Sequence, residues 1–281
     1  MIDRYQRGMN LQSPPPSRTL KGFFTDTSLC IGCKACEVAC KQWNQLPADG
    51  YALTGNSYDN TGALGATTWR HVQFIEQAKA NGGSRQEQRW LMMSDVCKHC
   101  ANAACLEACP TGSLVRTEFG TVYVQQDICN GCGYCVPACP FGVIDRAPID
   151  GHFEPGTAHK CTLCYDRLKD DMTPACAKSC PTASIQFGDV EELRARARRR
   201  LGELQARGES KARLYGMPDG KEAQEVGPLH AFFLLLDEPE KYNLPAVPRL
   251  PRRTMAERYG WSAAVGAGFA LVAALVFGGR R

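Results

Sequence analysis

The pattern of apolar and polar residues predicts short strands distributed along most of the chain. Each of them shows either an alternation of apolar and polar residues or a short apolar run bounded by turn residues. Gly120 separates two of them and predicts a hairpin turn, and the last is almost continuously apolar, which favours burial. The predicted strands are Thr67 to Glu76, Arg89 to Met93, Val115 to Thr117, Thr121 to Val124, Val143 to Ile144, Ile185 to Phe187 and His230 to Leu236.

Helical periodicity is clearest in residues 189–215, which are rich in Glu, Arg, Ala and Leu. Apolar residues recur there at helical spacing, at Leu193, Ala197, Leu201 and Leu204. The basic run from Arg198 to Arg200 is interpreted as a solvated face, with docking on a partner as the alternative. A short helix is expected from Glu37 to Trp43, and Pro239, Pro245, Pro248 and Pro251 interrupt regular structure further on.

The last part of the chain has no charged residue between Tyr259 and Gly279. A helix of that length, at about 1.5 Å per residue, matches a hydrocarbon layer of about 30 Å. Tyr259 and Trp261 lie where aromatic residues anchor a helix at the interface. We therefore expect one C-terminal transmembrane helix within residues 252–281, and the alternative is a buried helix of a soluble core.

The chain has 281 residues, of which 44% are hydrophobic. The decisive feature of its composition is the presence of 16 cysteines. All of them lie in four groups of four. The third group, Cys129-x2-Cys132-x2-Cys135-x3-Cys139-Pro140, has the spacing of the cluster-binding run of bacterial ferredoxins. In that run three thiolates hold one 4Fe-4S cluster and the fourth ligates a second cluster. The sequence therefore predicts electron transfer through iron–sulfur clusters.

The other three groups repeat this pattern with small changes of spacing. They are Cys30-x2-Cys33-x2-Cys36-x3-Cys40, Cys97-x2-Cys100-x4-Cys105-x3-Cys109 and Cys161-x2-Cys164-x11-Cys176-x3-Cys180. Cysteines clustered so closely are poor partners for long-range disulfides. A structural zinc site takes its cysteines from two separate knuckles rather than from one compact run. Iron–sulfur clusters are therefore favoured over both disulfides and zinc.

The ferredoxin rule for the fourth cysteine predicts which thiols share a cluster. The second and third groups pair, and by the same rule the first and fourth groups pair, which gives four 4Fe-4S clusters in all. The predicted sets are set A (Cys30, Cys33, Cys36, Cys180), set B (Cys97, Cys100, Cys105, Cys139), set C (Cys129, Cys132, Cys135, Cys109) and set D (Cys161, Cys164, Cys176, Cys40). A sequential assignment, with four ligands from each group, stays open.

This pairing predicts an α+β fold made of two intertwined ferredoxin-like two-cluster units with short hairpins and helices, followed by the C-terminal transmembrane helix. The predicted segments are an extended tail (1–20), an outer unit (21–93 and 147–190), an inserted unit (94–146), a partner-contacting linker with a helix and a strand (191–251) and the transmembrane segment (252–281). Residues 1–20 lack the apolar core of a signal peptide.

Charge and polar residues narrow the function. The formal net charge of +4 is too small to indicate nucleic-acid binding, since thiolate-ligated clusters are anionic. Lys34, Lys98 and Lys160 are candidates for tuning cluster potentials, although each is more simply interpreted as a surface charge. His71 is interpreted as a structural residue, and His99 as a surface or hydrogen-bonding residue. No catalytic constellation is present, so we predict no substrate chemistry on this chain.

Several motifs resemble the iron–sulfur subunit of respiratory molybdenum or tungsten formate dehydrogenases. They are Cys30-Ile-Gly-Cys-Lys-Ala-Cys36 through Trp43-Asn44, the insertion from Ser57-Tyr58-Asp59-Asn60 to Trp69, and Lys160-Cys-Thr-Leu-Cys164-Tyr-Asp-Arg167. The resemblance covers most of residues 20–280. The cysteine pattern alone is shared with electron-transfer subunits of many molybdopterin oxidoreductases and some hydrogenases, which leaves the same relay in another such enzyme as the alternative.

The resemblance implies an electron-transfer subunit and its partners. A molybdopterin-containing large subunit would oxidise formate, and a membrane cytochrome b subunit would pass the electrons to quinone. It also implies a periplasmic cluster domain anchored in the inner membrane by one span, with the C-terminus in the cytoplasm. Export with a twin-arginine-tagged large subunit would account for the missing signal peptide.

Overall fold

The computed structural model describes residues 19–50, 55, 59–77, 89–148 and 153–277. The predicted N-terminal tail lies mostly outside the described residues, as do Ser57 and Tyr58 of the insertion. The chain divides into two compact units, Met1–Pro248 and Arg249–Arg281, and each is described separately below.

The first unit contains short strands and mostly short helices, which alternate along the chain. Two 3-10 turns accompany them, at Thr27–Leu29 and Pro239–Tyr242. The strands are β1 (Lys21–Asp26), β2 (Arg70–Gln77), β3 (Arg89–Val96), β4 (Leu114–Arg116), β5 (Val122–Val124), β6 (Asp145–Arg146), β7 (Ala158–His159), β8 (Ile185–Asp189), β9 (Arg213–Tyr215) and β10 (Ala231–Leu235). The helices are α1 (Ala35–Asn44), α2 (Ala104–Glu107), α3 (Cys135–Ala138), α4 (Tyr165–Lys169), α5 (Ala175–Lys178), α6 (Val190–Ala206) and α7 (Ala223–Val226).

A four-stranded sheet in the order β8-β1-β10-β9 lies at the centre of the unit. Strand β1 pairs in parallel with β10 and antiparallel with β8, and β9 closes the other edge antiparallel to β10. The side chains of β10 are all buried, and the rings of Phe24 and Phe232 stack at 5.6 Å between centroids. The sheet therefore joins an early strand to strands from much later in the chain.

Three two-stranded ladders surround the cysteine groups. Strands β2 and β3 form an eight-residue antiparallel ladder, β4 and β5 form the predicted hairpin, and β6 pairs with β7. Gly120 takes a positive φ of 78° in the hairpin loop, where a residue with a side chain would be strained. The mixed helix and strand content confirms the α+β class.

Most elements predicted from periodicity are confirmed, with shifts at their ends. The helix expected within 189–215 ends at Ala206, and the chain then returns as β9. The strand expected at Val143 and Ile144 lies two residues later, in β6, while these two side chains are buried beneath it. A short apolar pair marks the buried position but does not fix the hydrogen-bonded ladder.

The second unit contains one helix, α8 (Pro251–Phe277). Several large apolar side chains of α8 are exposed, among them those of Trp261 and Phe269. Within the described residues, no helix combines the length and the apolar character needed to cross a membrane. The predicted C-terminal transmembrane helix is therefore not supported by the described residues. Much of the segment after Tyr259 consists of Gly, Ala and Ser, which contribute little apolar surface, and Arg252, Arg253, Glu257 and Arg258 precede it.

Candidate metal centres

The sixteen cysteines are all free thiols, which excludes the disulfide alternative for this structure. They lie on the loops and short helices between the ladders. In each cysteine group a short helix starts at or close to the third cysteine, as α1 starts at Ala35 next to Cys36 and α3 starts at Cys135 itself.

The thiols of set A line one cavity. Its lining includes Cys30, Cys33, Cys36 and Cys180, together with apolar side chains and serines. Burial raises the pKa of the Cys30 thiol, and the nearby Cys180 and Cys33 raise it further. Burial also raises the pKa of Cys36 to about 12, although Arg70 and a hydrogen bond with Ser94 act in the opposite direction.

The backbone of the set A loop depends on a residue without a side chain. Gly32 has a φ of 67°, and a Cβ there would lie 2.6 Å from Phe74 Cε1 and 2.7 Å from Met92 Sδ. The loop therefore passes too close to the β2–β3 ladder for any side chain.

We expect Gly32→Ala to destabilise the folded protein and to lower its iron content. The left-handed backbone alone costs about 1–2 kcal/mol for a residue with a Cβ, and the clash with Phe74 adds to this. Gly112→Ala is the matched control, because Gly112 has a φ of 70° with no atom within 4 Å of the added Cβ. Chemical denaturation and iron analysis of both variants check this expectation, and equal effects in the two would contradict it.

The thiols of set B line a second cavity. Burial raises the pKa of Cys100 well above its usual value, and the neighbouring thiols Cys97, Cys139 and Cys105 add to the effect. The fourth of these, Cys139, comes from the following cysteine group rather than from the group that supplies the other three.

The thiols of set C also converge. Burial raises the pKa of Cys135 to about 11, and Cys129, Cys109 and Cys132 raise it further. Cys109 behaves differently: burial opposes ionisation, but hydrogen bonds with Ser113 and Thr111 outweigh it and lower the pKa to about 7. The backbone N–H of Ala158 donates to Cys129 Sγ at 3.4 Å. These donors stabilise thiolates on a partly exposed surface.

Set D is the most deeply enclosed. Burial raises the pKa of Cys40 well above its usual value, and Cys161, Cys176 and Cys164 raise it further. Burial likewise raises the pKa of Cys164 to about 12. The backbone N–H of Leu163 donates to Cys161 Sγ at 3.3 Å.

These thiols fit 4Fe-4S clusters by their chemistry. Buried thiols that raise one another's pKa cannot all ionise without a shared cation, and thiolates are the ligands that iron–sulfur clusters require. In the described ranges, no group of three or more His, Cys, Asp or Glu is close enough to hold one metal ion. A cluster of four irons and four sulfides separates its ligands farther than one ion does, because the inorganic body lies between them.

The three lysines singled out in the sequence differ in their environments. Lys34 is partly exposed and pairs with Glu37 at 3.3 Å and with Asp59 at 3.2 Å. Lys98 and Lys160 are only 1% and 2% exposed, so their interpretation as surface charges is wrong. Their ammonium groups are held inside the protein because each has buried oxygen acceptors.

The buried lysines lie beside set B. Lys98 forms a very short ion pair with Asp95, and Lys160 donates to the carbonyl oxygens of Val122 and Cys161. Both side chains line the cavity of set B. The charge of Lys160 partly offsets the effect of burial on the pKa of Cys105. Whether they tune cluster potentials stays a prediction.

The two histidines discussed from sequence are both buried. His71 lies in β2 with Nδ1 at 3.4 Å from a Glu37 oxygen and Nε2 at 3.5 Å from an Asp59 oxygen, which agrees with a structural role. His99 is 1% exposed and accepts a hydrogen bond from the backbone N–H of Val122, so its expected surface position is wrong and its hydrogen-bonding role is confirmed.

Sequence reasoning missed Arg70, the first residue of β2. It is 1% exposed, and its guanidinium donates to Cys176 Sγ at 3.3 Å. The signal was present in the alternation of the predicted strand, which assigns Arg70 to the same face as Val72 and Phe74. A charged residue on an otherwise apolar strand face calls for a buried counter-charge.

The fold and these thiol sets define an iron–sulfur electron-transfer protein. The family model described as a 4Fe-4S dicluster domain matches residues 88–190, and a second model with the same description matches residues 29–113. The chain therefore binds 4Fe-4S clusters and has an electron-transfer role.

Comparison with individual proteins narrows the class further. The formate dehydrogenase iron–sulfur subunit of Haemophilus influenzae is 39% identical over 80% of this chain and 68% of the relative. The iron–sulfur subunit of the nitrate-inducible formate dehydrogenase of Escherichia coli is 38% identical over 90% of this chain and 82% of the relative. One subunit of the anaerobic dimethyl sulfoxide reductase of Escherichia coli is 35% identical over 63% of this chain and 77% of the relative. The chain belongs to the family of formate dehydrogenase iron–sulfur subunits.

Proposed function

We propose that this protein relays electrons from a formate-oxidising, molybdopterin-containing subunit, through four 4Fe-4S clusters, to a membrane cytochrome b subunit. The observation that carries the proposal is that all sixteen cysteines are free thiols and that two cavities are each lined by four of them. Each cluster, when bound, accepts one electron and passes it on. The chain itself supplies the thiolates and the fixed charges around them.

The crossed ligand sets predicted from sequence are part of this proposal. Their support is electrostatic and geometric. The thiols that raise the pKa of Cys30, Cys100, Cys135 and Cys40 each belong to the same predicted set as the thiol that they affect. The two cavities agree with this grouping, since each has all four thiols of one set in its lining. The outer unit (21–93 and 147–190) would then hold sets A and D, and the inserted unit (94–146) would hold sets B and C.

In three cases a thiol of one set raises the pKa of a thiol of another set, which indicates that the two sets are neighbours. These pairs support a linear order of electron transfer. Burial is the largest cause of the raised pKa in each pair, and a thiol of the neighbouring set adds to it. Cys176 of set D acts on Cys36 of set A. Cys97 of set B acts on Cys161 of set D. Cys135 of set C acts on Cys105 of set B. We infer the order A, D, B and C.

The two ends of this series reach the surface. Cys33 of set A and Cys132 of set C are exposed, whereas the thiols of set D are buried. Electrons would therefore enter at one of these ends and leave at the other. A periplasmic position of the cluster-binding unit stays a prediction from the resemblance.

Formate is proposed as the substrate of the catalytic subunit because formate dehydrogenase subunits align with the larger share of this chain. Formate dehydrogenase subunits match 80% and 90% of the chain, whereas the dimethyl sulfoxide reductase subunit matches 63%. The same relay in another molybdopterin enzyme or in a hydrogenase is therefore not favoured.

Anaerobic purification of the intact complex tests the proposal. We expect about sixteen irons and as many acid-labile sulfides on this chain, as four 4Fe-4S clusters require, and formate-dependent reduction of a dye by the complex. Iron near the level of one ion per thiol set would exclude the clusters. A full iron content without formate-dependent activity would retain the relay and change its catalytic partner.

A further inference from the structure

Arg70 connects the thiols of two different sets. One nitrogen of its guanidinium, Nη2, donates to Cys176 Sγ of set D at 3.3 Å. The other, Nη1, donates to the carbonyl and hydroxyl oxygens of Ser94, each at 3.3 Å. The Ser94 hydroxyl is in turn 3.2 Å from Cys36 Sγ of set A. One side chain thus reaches set D directly and set A through a single hydroxyl.

Among the described residues, the charge of Arg70 has no carboxylate partner. No Asp or Glu of those ranges lies within 4.0 Å of its guanidinium nitrogens, although Arg70 is only 1% exposed. A buried cation without a counter-ion would be strongly destabilising. Its hydrogen bonds lead instead to sulfur: Nη2 donates to Cys176 Sγ, and the Ser94 hydroxyl connects Nη1 to Cys36 Sγ. Thiolates of sets A and D are therefore its counter-charges.

Lys98 provides a contrast with this arrangement. It is equally buried, at 1% exposed, but Asp95 neutralises its charge directly. The positive charge of Arg70 is instead directed at sulfur, with the ring of Phe23 against its other side at 4.8 Å from the guanidinium carbon. The electric field of Arg70 therefore acts on the clusters that these thiols would bind.

We propose that Arg70 is a positioning residue whose fixed charge raises the reduction potentials of the two clusters held by sets A and D. The inference rests on the proposed four-cluster function. Reduction adds one negative charge to a cluster, and a cation in a buried site stabilises that added charge. Because Arg70 faces both sets, it raises the two potentials together and leaves the difference between them little changed.

The test is a redox titration, followed by electron paramagnetic resonance, of the complex carrying Arg70→Gln or Arg70→Lys. In Arg70→Gln we expect two of the four potentials to fall by at least about 59 mV, a tenfold change in a one-electron equilibrium. Arg70→Lys keeps the positive charge, so its two affected potentials should lie at most half as far below the wild-type values as those of Arg70→Gln. Arg194→Gln is the control, because Arg194 is also buried but contacts Glu191 and the carbonyl oxygen of Leu229.

Each outcome of this experiment decides the inference. Unchanged potentials, a uniform fall of all four, or equal falls in the Gln and Lys variants would overturn it. If Arg70→Gln loses the iron of two clusters, Arg70→Lys decides: retained iron with those two potentials within about 59 mV of the wild type supports the inference, whereas larger falls or equal iron loss overturn it. The wild-type iron content tests the four-cluster proposal separately, since it does not depend on Arg70.

Discussion

A Cys33→Ala/Cys180→Ala double variant should retain roughly three of the four proposed clusters, whereas Cys33→Ala/Cys40→Ala should retain roughly two. In the crossed arrangement, Cys33 and Cys180 belong to one set, so losing both removes one cluster. Cys33 and Cys40 belong to different sets, although both lie in the first cysteine group of the sequence. Mössbauer spectroscopy of iron-57-labelled protein counts the intact clusters.

The two variants are controls for each other. Each removes two thiols, each includes Cys33, and each removes one further cysteine that is the last of its group. The sequential assignment predicts the reverse result, with two clusters lost in the first variant and one in the second. That reversal would refute the crossed sets, while leaving the total number of clusters unchanged.

Cys132→Ala should block electron flow to quinone while leaving formate-dependent dye reduction at the catalytic subunit intact. Cys132 is the exposed thiol of set C, which lies at one end of the inferred series. Without that cluster, transfer must cross the gap that it filled. We expect quinone reduction to fall at least about tenfold, equivalent to about 1.4 kcal/mol in the barrier. Paired assays of formate-dependent dye and quinone reduction measure the two rates.

Ile128→Ser is the matched control for this prediction. Ile128 is 41% exposed and precedes Cys129 of the same group, but it has no ligating side chain. It should leave both rates close to those of the wild type. Full quinone reduction by Cys132→Ala, with the cluster demonstrably absent, would show that set C is not an obligatory part of the series.

Local patterns in the sequence were sufficient for several elements. The apolar run from His230 to Leu236 became the buried strand β10, and the expected helix from Glu37 to Trp43 lies within α1. The hairpin around Gly120 formed as predicted because both of its strands and its turn lie within a few residues. Each of these predictions depends on neighbours in sequence alone.

Features that depend on distant residues were not predicted. The strand β1 carries no clear alternation, and its parallel pairing with β10 depends on residues far along the chain. The burial of Lys98 depends on Asp95 and on the sheet above it, because Phe233 of β10 approaches its ammonium at 5.5 Å. Spacing within a motif identifies which residues ligate a cluster, but not which charges the fold encloses beside it.

The predicted transmembrane helix in the C-terminal segment is not supported by the described residues, for another reason. Length and the absence of charge were given more weight than the apolar content of each residue, and α8 contains many Gly and Ala residues. Tyr259 and Trp261 are both exposed on α8.

The central position of β1 has a consequence for biosynthesis. This strand is made early, yet its neighbours in the sheet are residues 185–189 and 231–234, which leave the ribosome much later. Until then, Phe23 and Phe24 are uncovered on the nascent polypeptide, a state that favours chaperone binding and aggregation. The turn before Cys30 is held by β10, because the Thr27 hydroxyl donates to the carbonyl oxygen of Leu234, so this loop gains its support only after residue 234 has been made.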